Sequence, residues 1–140
     1  MTDPSCLFCK IIAGTIPASI VHSDDNAIVI LDIAPFEHGH LLVIPRHHAT
    51  TLPELPEADA LHVMRLIRHF GAHLMKTLPC DGFNVLQNNG ACASQTIPHV
   101  HFHLVPRHNG KPLQWIPSSY ASPEEMRDIH NRLKSNTLFT

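Results

Sequence analysis

His99-Val100-His101-Phe102-His103-Leu104-Val105 alternates histidine with apolar residues. That is the period-two signature of a strand that sends three imidazoles to one face and Val, Phe and Leu into a core. Imidazoles at alternate strand positions lie about 7 Å apart, so their charged forms repel and some stay neutral. A neutral imidazole can serve as nucleophile, base or metal ligand. The bland alternative is a solvated polar strand face, and the preceding loop argues against it. Gln87-Asn88-Asn89-Gly90-Ala91-Cys92-Ala93-Ser94-Gln95-Thr96-Ile97-Pro98 offers amides, hydroxyls, a glycine and small side chains, which let backbone N–H groups approach an anionic oxygen. The loop reads as an anion cradle leading into a strand of reactive imidazoles.

Working outward, 140 residues suffice for one ordinary domain with a single core. An apolar content of 44% and a formal charge of −2 describe a globular chain. No segment supplies the basic stripe that a nucleic-acid backbone would demand, so nucleic acid is excluded as a partner and a small ligand is expected. No run of residues is apolar enough for a bilayer, and Met1-Thr2-Asp3-Pro4-Ser5 lacks the regions of a signal peptide. A cytoplasmic protein without membrane contact is expected, with its four cysteines as thiols or metal ligands.

In chain order, Ser5 is placed to cap a short helix through Ala13, with Gly14 ending it. Cys6 and Cys9 lie one turn apart there, as a redox dithiol, half of a metal site, or two small core residues. Val21 to Ser23 and Ala27 to Leu31 read as strands around Asp24-Asp25-Asn26, and Leu41 to Ile44 as a buried strand stopped by Pro45. From Pro56 to Leu78 the pattern is helical, with Leu61, Met64, Ile67, Phe70, Leu74 and Leu78 as its apolar positions and His62, His69 and His73 on a solvated side. Gly82 to Leu86 and His99 to Pro106 form a hairpin with the cradle loop at its tip. Ser122-Pro123-Glu124-Glu125 is a capping box opening a C-terminal helix to about Ser135, with Met126, Ile129 and Leu133 on its apolar stripe. Trp115 is either core or ligand wall.

The triad run, followed by Pro106-Arg107 and preceded by Asn88, Gly90 and Gln95-Thr96, closely resembles the signature of the histidine triad (HIT) superfamily. The likeness extends to Phe8 with Lys10-Ile11-Ile12, Ile16-Pro17, Asp32-Ile33-Ala34-Pro35, and Gly39-His40-Leu41-Leu42-Val43-Ile44-Pro45-Arg46. It covers about the first 107 residues and is nearest the Hint-like bacterial branch. A single HIT domain over 1–140 is therefore expected, with its core at about 5–107 and an extension at 108–140. The fold class is α+β, a mostly antiparallel sheet of about five strands with one long helix and short terminal helices.

The resemblance implies that His101 is the nucleophile, with His99, His103, His40 and Thr96 as its catalytic neighbours. It implies a nucleotide site made of Phe8, Ile11, Leu31, Asp32, Ile33, Asn88, Gln95, Thr96, His101 and His103, in which Asp32 holds ribose hydroxyls. It further implies a structural zinc on Cys6, Cys9, His48 and His99, with His47 the rival to His48, and a homodimer. A neutral imidazole can attack an α-phosphorus and form a nucleotidyl-histidine that water hydrolyses. No Gly-x-x-x-x-Gly-Lys loop or carboxylate cluster supports Walker-type or two-metal chemistry, and no catalytic metal is expected. The expected activity is that of a purine nucleoside phosphoramidase. Its rivals are hydrolysis of dinucleoside polyphosphates, a nucleotide-binding scaffold with little turnover, and a catalytic metal held by the three alternating histidines.

Overall fold

The computed structural model describes residues 2–134. Its elements run α1 (Leu7–Ile12), β1 (Ile20–Ser23), β2 (Ala27–Leu31), β3 (Leu41–Pro45), α2 (Glu57–Thr77), β4 (Gly82–Leu86), β5 (Phe102–Arg107) and α3 (Pro123–Leu133). The five strands form one sheet in the order β1-β2-β3-β5-β4 with every neighbouring pair antiparallel. This is the α+β architecture expected from the sequence. Among the described residues, no helix is long and apolar enough to cross a membrane.

Strand alternation decides where the site sits. Val29, Leu31, Leu41, Val43, Phe102 and Leu104 face the main core and the buried side of α2. Ile28, Ile30, Leu42 and Ile44 face the other way, onto Phe8 and Ile11 of α1. His103 pairs with Leu42 across the β3–β5 ladder, and it alternates with Phe102 and Leu104. The triad imidazoles therefore emerge on the α1 side of the sheet.

Several boundaries differ from the sequence reading. Cys6, not Ser5, caps α1, its sulfur accepting from Cys9 N–H at 3.5 Å. Ser5 is drawn away by Asp3, which accepts from both its backbone N–H and its hydroxyl. The ladder of β5 begins at Phe102 rather than His99, because Val100 N–H donates instead to Ala49 O at 2.8 Å. On α2 the buried side is Val63, Leu66, Ile67, Phe70 and Leu74, whereas Leu61 and Met64 are exposed.

The histidines of α2 do not lie on a solvated face either. His62 Nε2 lies 2.8 Å from Asp24 Oδ2, and His73 Nε2 is 3.0 Å from Leu133 O at the end of α3. Ser122 caps α3 by accepting from Glu125 N–H at 3.1 Å, and Ile129 and Leu133 bury against the body. Ser135, the expected end of this helix, lies outside the described residues.

Candidate active site

His101 is 6% exposed, just ahead of β5. Its Nδ1 is 2.7 Å from His99 O. A carbonyl only accepts, so Nδ1 carries the proton and Nε2 keeps its lone pair. The neighbour that orients His101 is thus the backbone carbonyl of His99. Burial holds the His101 pKa below its ordinary value, against the opposing effects of the His99 carbonyl and Asp32. The ring of Phe8 meets His101 edge-on at 5.0 Å.

A second proton chain ends at His103. Phe36 N–H donates to His40 Nδ1 at 3.1 Å, which leaves the His40 proton on Nε2. His40 Nε2 lies 2.9 Å from His103 Nδ1 and donates to it, so the His103 proton sits on Nε2. Both imidazoles are pushed down to about 4, burial being the largest cause and neighbouring positive charge adding to it. At neutral pH the cluster holds one nucleophilic nitrogen and one N–H donor, with no charge on either ring.

An open cleft of about 700 Å³ runs past these groups. Phe8, Ile11, Leu31, Asp32, Ile33, Asn88, Thr96, His101 and His103 all line it. His40 and His99 are fully buried behind it. Gln95 does not line it: its Oε1 accepts from Gly90 N–H at 2.7 Å, and its Nε2 donates to Thr50 O and Ile97 O. With its amide spent on backbone, Gln95 shapes the loop. Gly90, at φ +91, takes a turn that a side chain would strain. Asp32 Oδ1 accepts from Ala34 N–H at 2.9 Å, which orients the carboxylate at the cleft wall. Among the described residues, no lysine or arginine lines the cleft.

Cys6, Cys9, His48 and His99 bring their ligand atoms within 4.8 Å of one another. His48 Nδ1 and His99 Nδ1 are 3.2 Å apart, and sulfur-to-nitrogen distances are 3.4 Å for Cys6–His99, 3.4 Å for Cys9–His48 and 3.7 Å for Cys9–His99. A tetrahedral zinc with ordinary bond lengths requires edges of about 3.3 Å between nitrogens and ~3.6 Å between nitrogen and sulfur. His99 Nε2 donates to Pro45 O at 2.8 Å, so its Nδ1 is a bare lone pair aimed at His48. The donor set fits zinc. His47 instead lies 3.8 Å from Asp59 Oδ2.

Asp32, His40 and His103 form a second close group. A metal there would need the His40 Nε2 lone pair, and the Phe36 N–H on Nδ1 keeps a proton on Nε2. His99, His101 and His103 do not converge as one ligand set among the described residues. The catalytic-metal reading of the alternating histidines thus lacks its geometry.

Phe36 has no role in the sequence reading, and Trp115 has an open one. Phe36 stacks on His103 with centroids 6.1 Å apart and fixes the His40 tautomer through its backbone; its place four residues ahead of His40 was visible, but a backbone donor leaves no signal in residue type. Trp115, which the sequence leaves open between core and ligand wall, lies outside the core and lines the cleft.

The model of the HIT domain matches residues 13–110. The adenosine 5'-monophosphoramidase hnt1 of Schizosaccharomyces pombe is 38% identical over 134 residues, which is 94% of this chain and 97% of that protein. A Hit-like protein of Bartonella henselae superposes with a TM-score of 0.87 at 30% identity, covering 94% of this chain and 96% of that one. A zinc-bound histidine triad family protein of Mycobacterium smegmatis superposes with a TM-score of 0.82 at 35% identity, covering 92% and 93%.

Proposed function

We propose that this chain, which belongs to the HIT domain family, hydrolyses purine nucleoside phosphoramidates at the α-phosphorus through a nucleotidyl group carried on His101. The observation that carries this reading is the His101 tautomer: Nδ1–H is spent on His99 O, and the Nε2 lone pair is left for a ring that lines the cleft. Nε2 attacks phosphorus, and the phosphorus–nitrogen bond breaks with its electron pair going to nitrogen. The departing nitrogen takes the Thr96 hydroxyl proton. Water then attacks phosphorus, returns one proton to Thr96 and frees His101. The His103 Nε2–H and the Asn88 amide donate to the phosphoryl oxygens as charge grows on them.

Phe8 and Ile11 offer a purine an apolar slot, with the more exposed Ile33 at its rim, and Asp32 accepts from the ribose hydroxyls, while the Leu31 side chain faces the main core. Such a slot grips a flat ring without reading its edge, so adenine and guanine are weakly distinguished. The relative named adenosine 5'-monophosphoramidase supports the choice of substrate. A dinucleoside polyphosphate would bring several further negative charges into a cleft that no lysine or arginine among the described residues lines, which favours the phosphoramidate.

Zinc on Cys6, Cys9, His48 and His99 would tie α1 to the strand entrance, fixing the residue whose carbonyl orients His101. Free thiols suit a reducing compartment, and the cytoplasm is the proposed setting. The proposed assembly is a homodimer through the free edge of β4 and the outer face of α2.

The test compares AMP release from adenosine phosphoramidate and diadenosine tetraphosphate by wild type and His101→Ala. Preference for the phosphoramidate, loss of turnover in the variant and an adenylyl adduct on His101 by mass spectrometry are expected. Preference for the tetraphosphate would overturn the substrate assignment, and equal rates in both proteins would overturn His101 as nucleophile.

A further inference from the structure

Asp3 offers no ligand atom to the set of Cys6, Cys9, His48 and His99, yet each of its polar atoms is turned on that set or on the turn that carries it. Its N–H donates to Cys9 Sγ at 3.4 Å. Its carbonyl accepts from Cys6 N–H at 3.1 Å. Its Oδ1 accepts from the Ser5 N–H and hydroxyl, at 2.8 and 2.7 Å, which leaves Oδ2 turned to His48, 3.9 Å from Nε2. At that distance the carboxylate charge attracts a proton to Nε2, and a proton there leaves Nδ1 as a lone pair. Nδ1 is the nitrogen that lies 3.4 Å from Cys9 Sγ and 3.2 Å from His99 Nδ1. The other two ligands are held by backbone: Pro45 O accepts from His99 Nε2 at 2.8 Å, and Cys9 N–H donates to Cys6 Sγ at 3.5 Å. Asp3 supplies the two holders that remain, for Cys9 and for His48.

We infer that Asp3 is a positioning residue of the zinc site, its carboxylate turning the His48 lone pair inward and its N–H steadying the Cys9 sulfur, so that the ion is bound more tightly. The inference rests on the zinc reading of the four ligands. An imidazole with a carboxylate at its far nitrogen is a better oriented and more basic ligand, and a sulfur that accepts an N–H is fixed in place. The effect reaches the strand of histidines through the backbone after His48. Ala49 O accepts from Val100 N–H at 2.8 Å, and Thr50 O accepts from Gln95 Nε2 at 2.7 Å. A loosened His48 thus pulls on the entry to the strand and on the base of the cradle loop together.

The experiment measures the zinc affinity of the full chain by competition with a chromophoric chelator, for wild type, Asp3→Asn, Asp3→Ala and Asp25→Asn. In Asp3→Asn the amide keeps an oxygen for Ser5 and presents an N–H to His48 Nε2, which moves the His48 proton to Nδ1, where the metal must bind. Affinity should fall about tenfold. Asp3→Ala also frees the turn at Ser5, and with it the N–H on Cys9, and should bring the fall to about a hundredfold. Asp25→Asn removes the same charge from an exposed position in the Asp24-Asp25-Asn26 turn and should match wild type. With cobalt in place of zinc, Asp3→Ala should shift the sulfur-to-metal charge-transfer band, which a residue serving only the fold would leave in place. Unchanged affinity in both Asp3 variants, an equal fall in Asp25→Asn, or an unmoved band in Asp3→Ala would overturn the inference while the zinc reading stands. Wild type that takes up neither zinc nor cobalt would overturn the zinc reading, and the inference with it.

Discussion

His40 Nε2 lies 2.9 Å from His103 Nδ1, and the proton between them belongs to His40. The direction follows from the Phe36 N–H on the far side of the His40 ring. One backbone amide in the loop ahead of β3 thus decides that His103 presents a donor, not an acceptor, to the cleft. Gly39 makes this loop possible: at φ +95 it packs so closely on Leu78 that a Cβ would collide with that side chain.

Removing the proton on His40 should therefore disarm His103. In His40→Leu, His103 Nδ1 loses its donor, and the ring is free to take the tautomer that turns an acceptor toward the phosphoryl oxygens. We expect kcat to fall about tenfold or more while KM changes less, since the donor matters most as charge develops. His40→Gln retains an N–H near the same place and should recover part of the loss. Equal kcat in the Leu and Gln variants would show that the proton chain is unimportant.

Stability should also depend on this pair. Histidine in the unfolded chain titrates near 6.5, whereas His40 and His103 in the fold are pushed down to about 4 by burial. Between these values the unfolded chain binds protons that the native pair refuses. Stability is thus full above pH 6.5 and declines as pH falls toward 4. Urea midpoints at pH 7.5, 5.5 and 4.5 test this, and His40→Leu should make the decline shallower. Midpoints that do not move with pH would contradict it.

The zinc set makes a separate prediction. Burial raises the Cys9 thiol, so without metal the site holds a proton that zinc must displace. Purified protein should carry one zinc per chain by elemental analysis. Cys6→Ser or Cys9→Ser should abolish that content and lower Tm by several degrees or more, as breaking a link between α1 and the strand entrance implies. Full zinc content in both variants would remove Cys6 and Cys9 from the site.

The histidine run and the element order were legible because period-two and helical patterns are local. So was the gathering of Cys6, Cys9, His48 and His99, through resemblance. What could not be read were choices made by tertiary contact. Gln95 has a side chain suited to a phosphate, yet three backbone groups claim its amide. His62 and His73 sit where a helical wheel places solvent, but Asp24 and the end of α3 reach them. Leu61 and Met64 have the spacing of a core face, yet α2 presents them outward while Val63 and Leu66 enter the core.

The sheet has two edge strands. β1 is blunted by a register shift between Ile20 and His22, a common defence against edge pairing. β4 runs in unbroken register with β5, and its other edge has no strand neighbour among the described residues. Phe83 and Val85 of this strand are both exposed. Phe83 abuts Gly71 of α2, whose outer face shows Leu61, Met64 and Met75. An apolar helix face beside a free strand edge suits a second copy of the chain, two-fold related, with β4 paired to β4. Light scattering should give twice the mass of one chain. Val85→Lys or Met64→Glu should shift the protein toward monomer, because a charge would be buried without a partner. A wild-type monomer at micromolar concentration would leave this patch without its proposed cover.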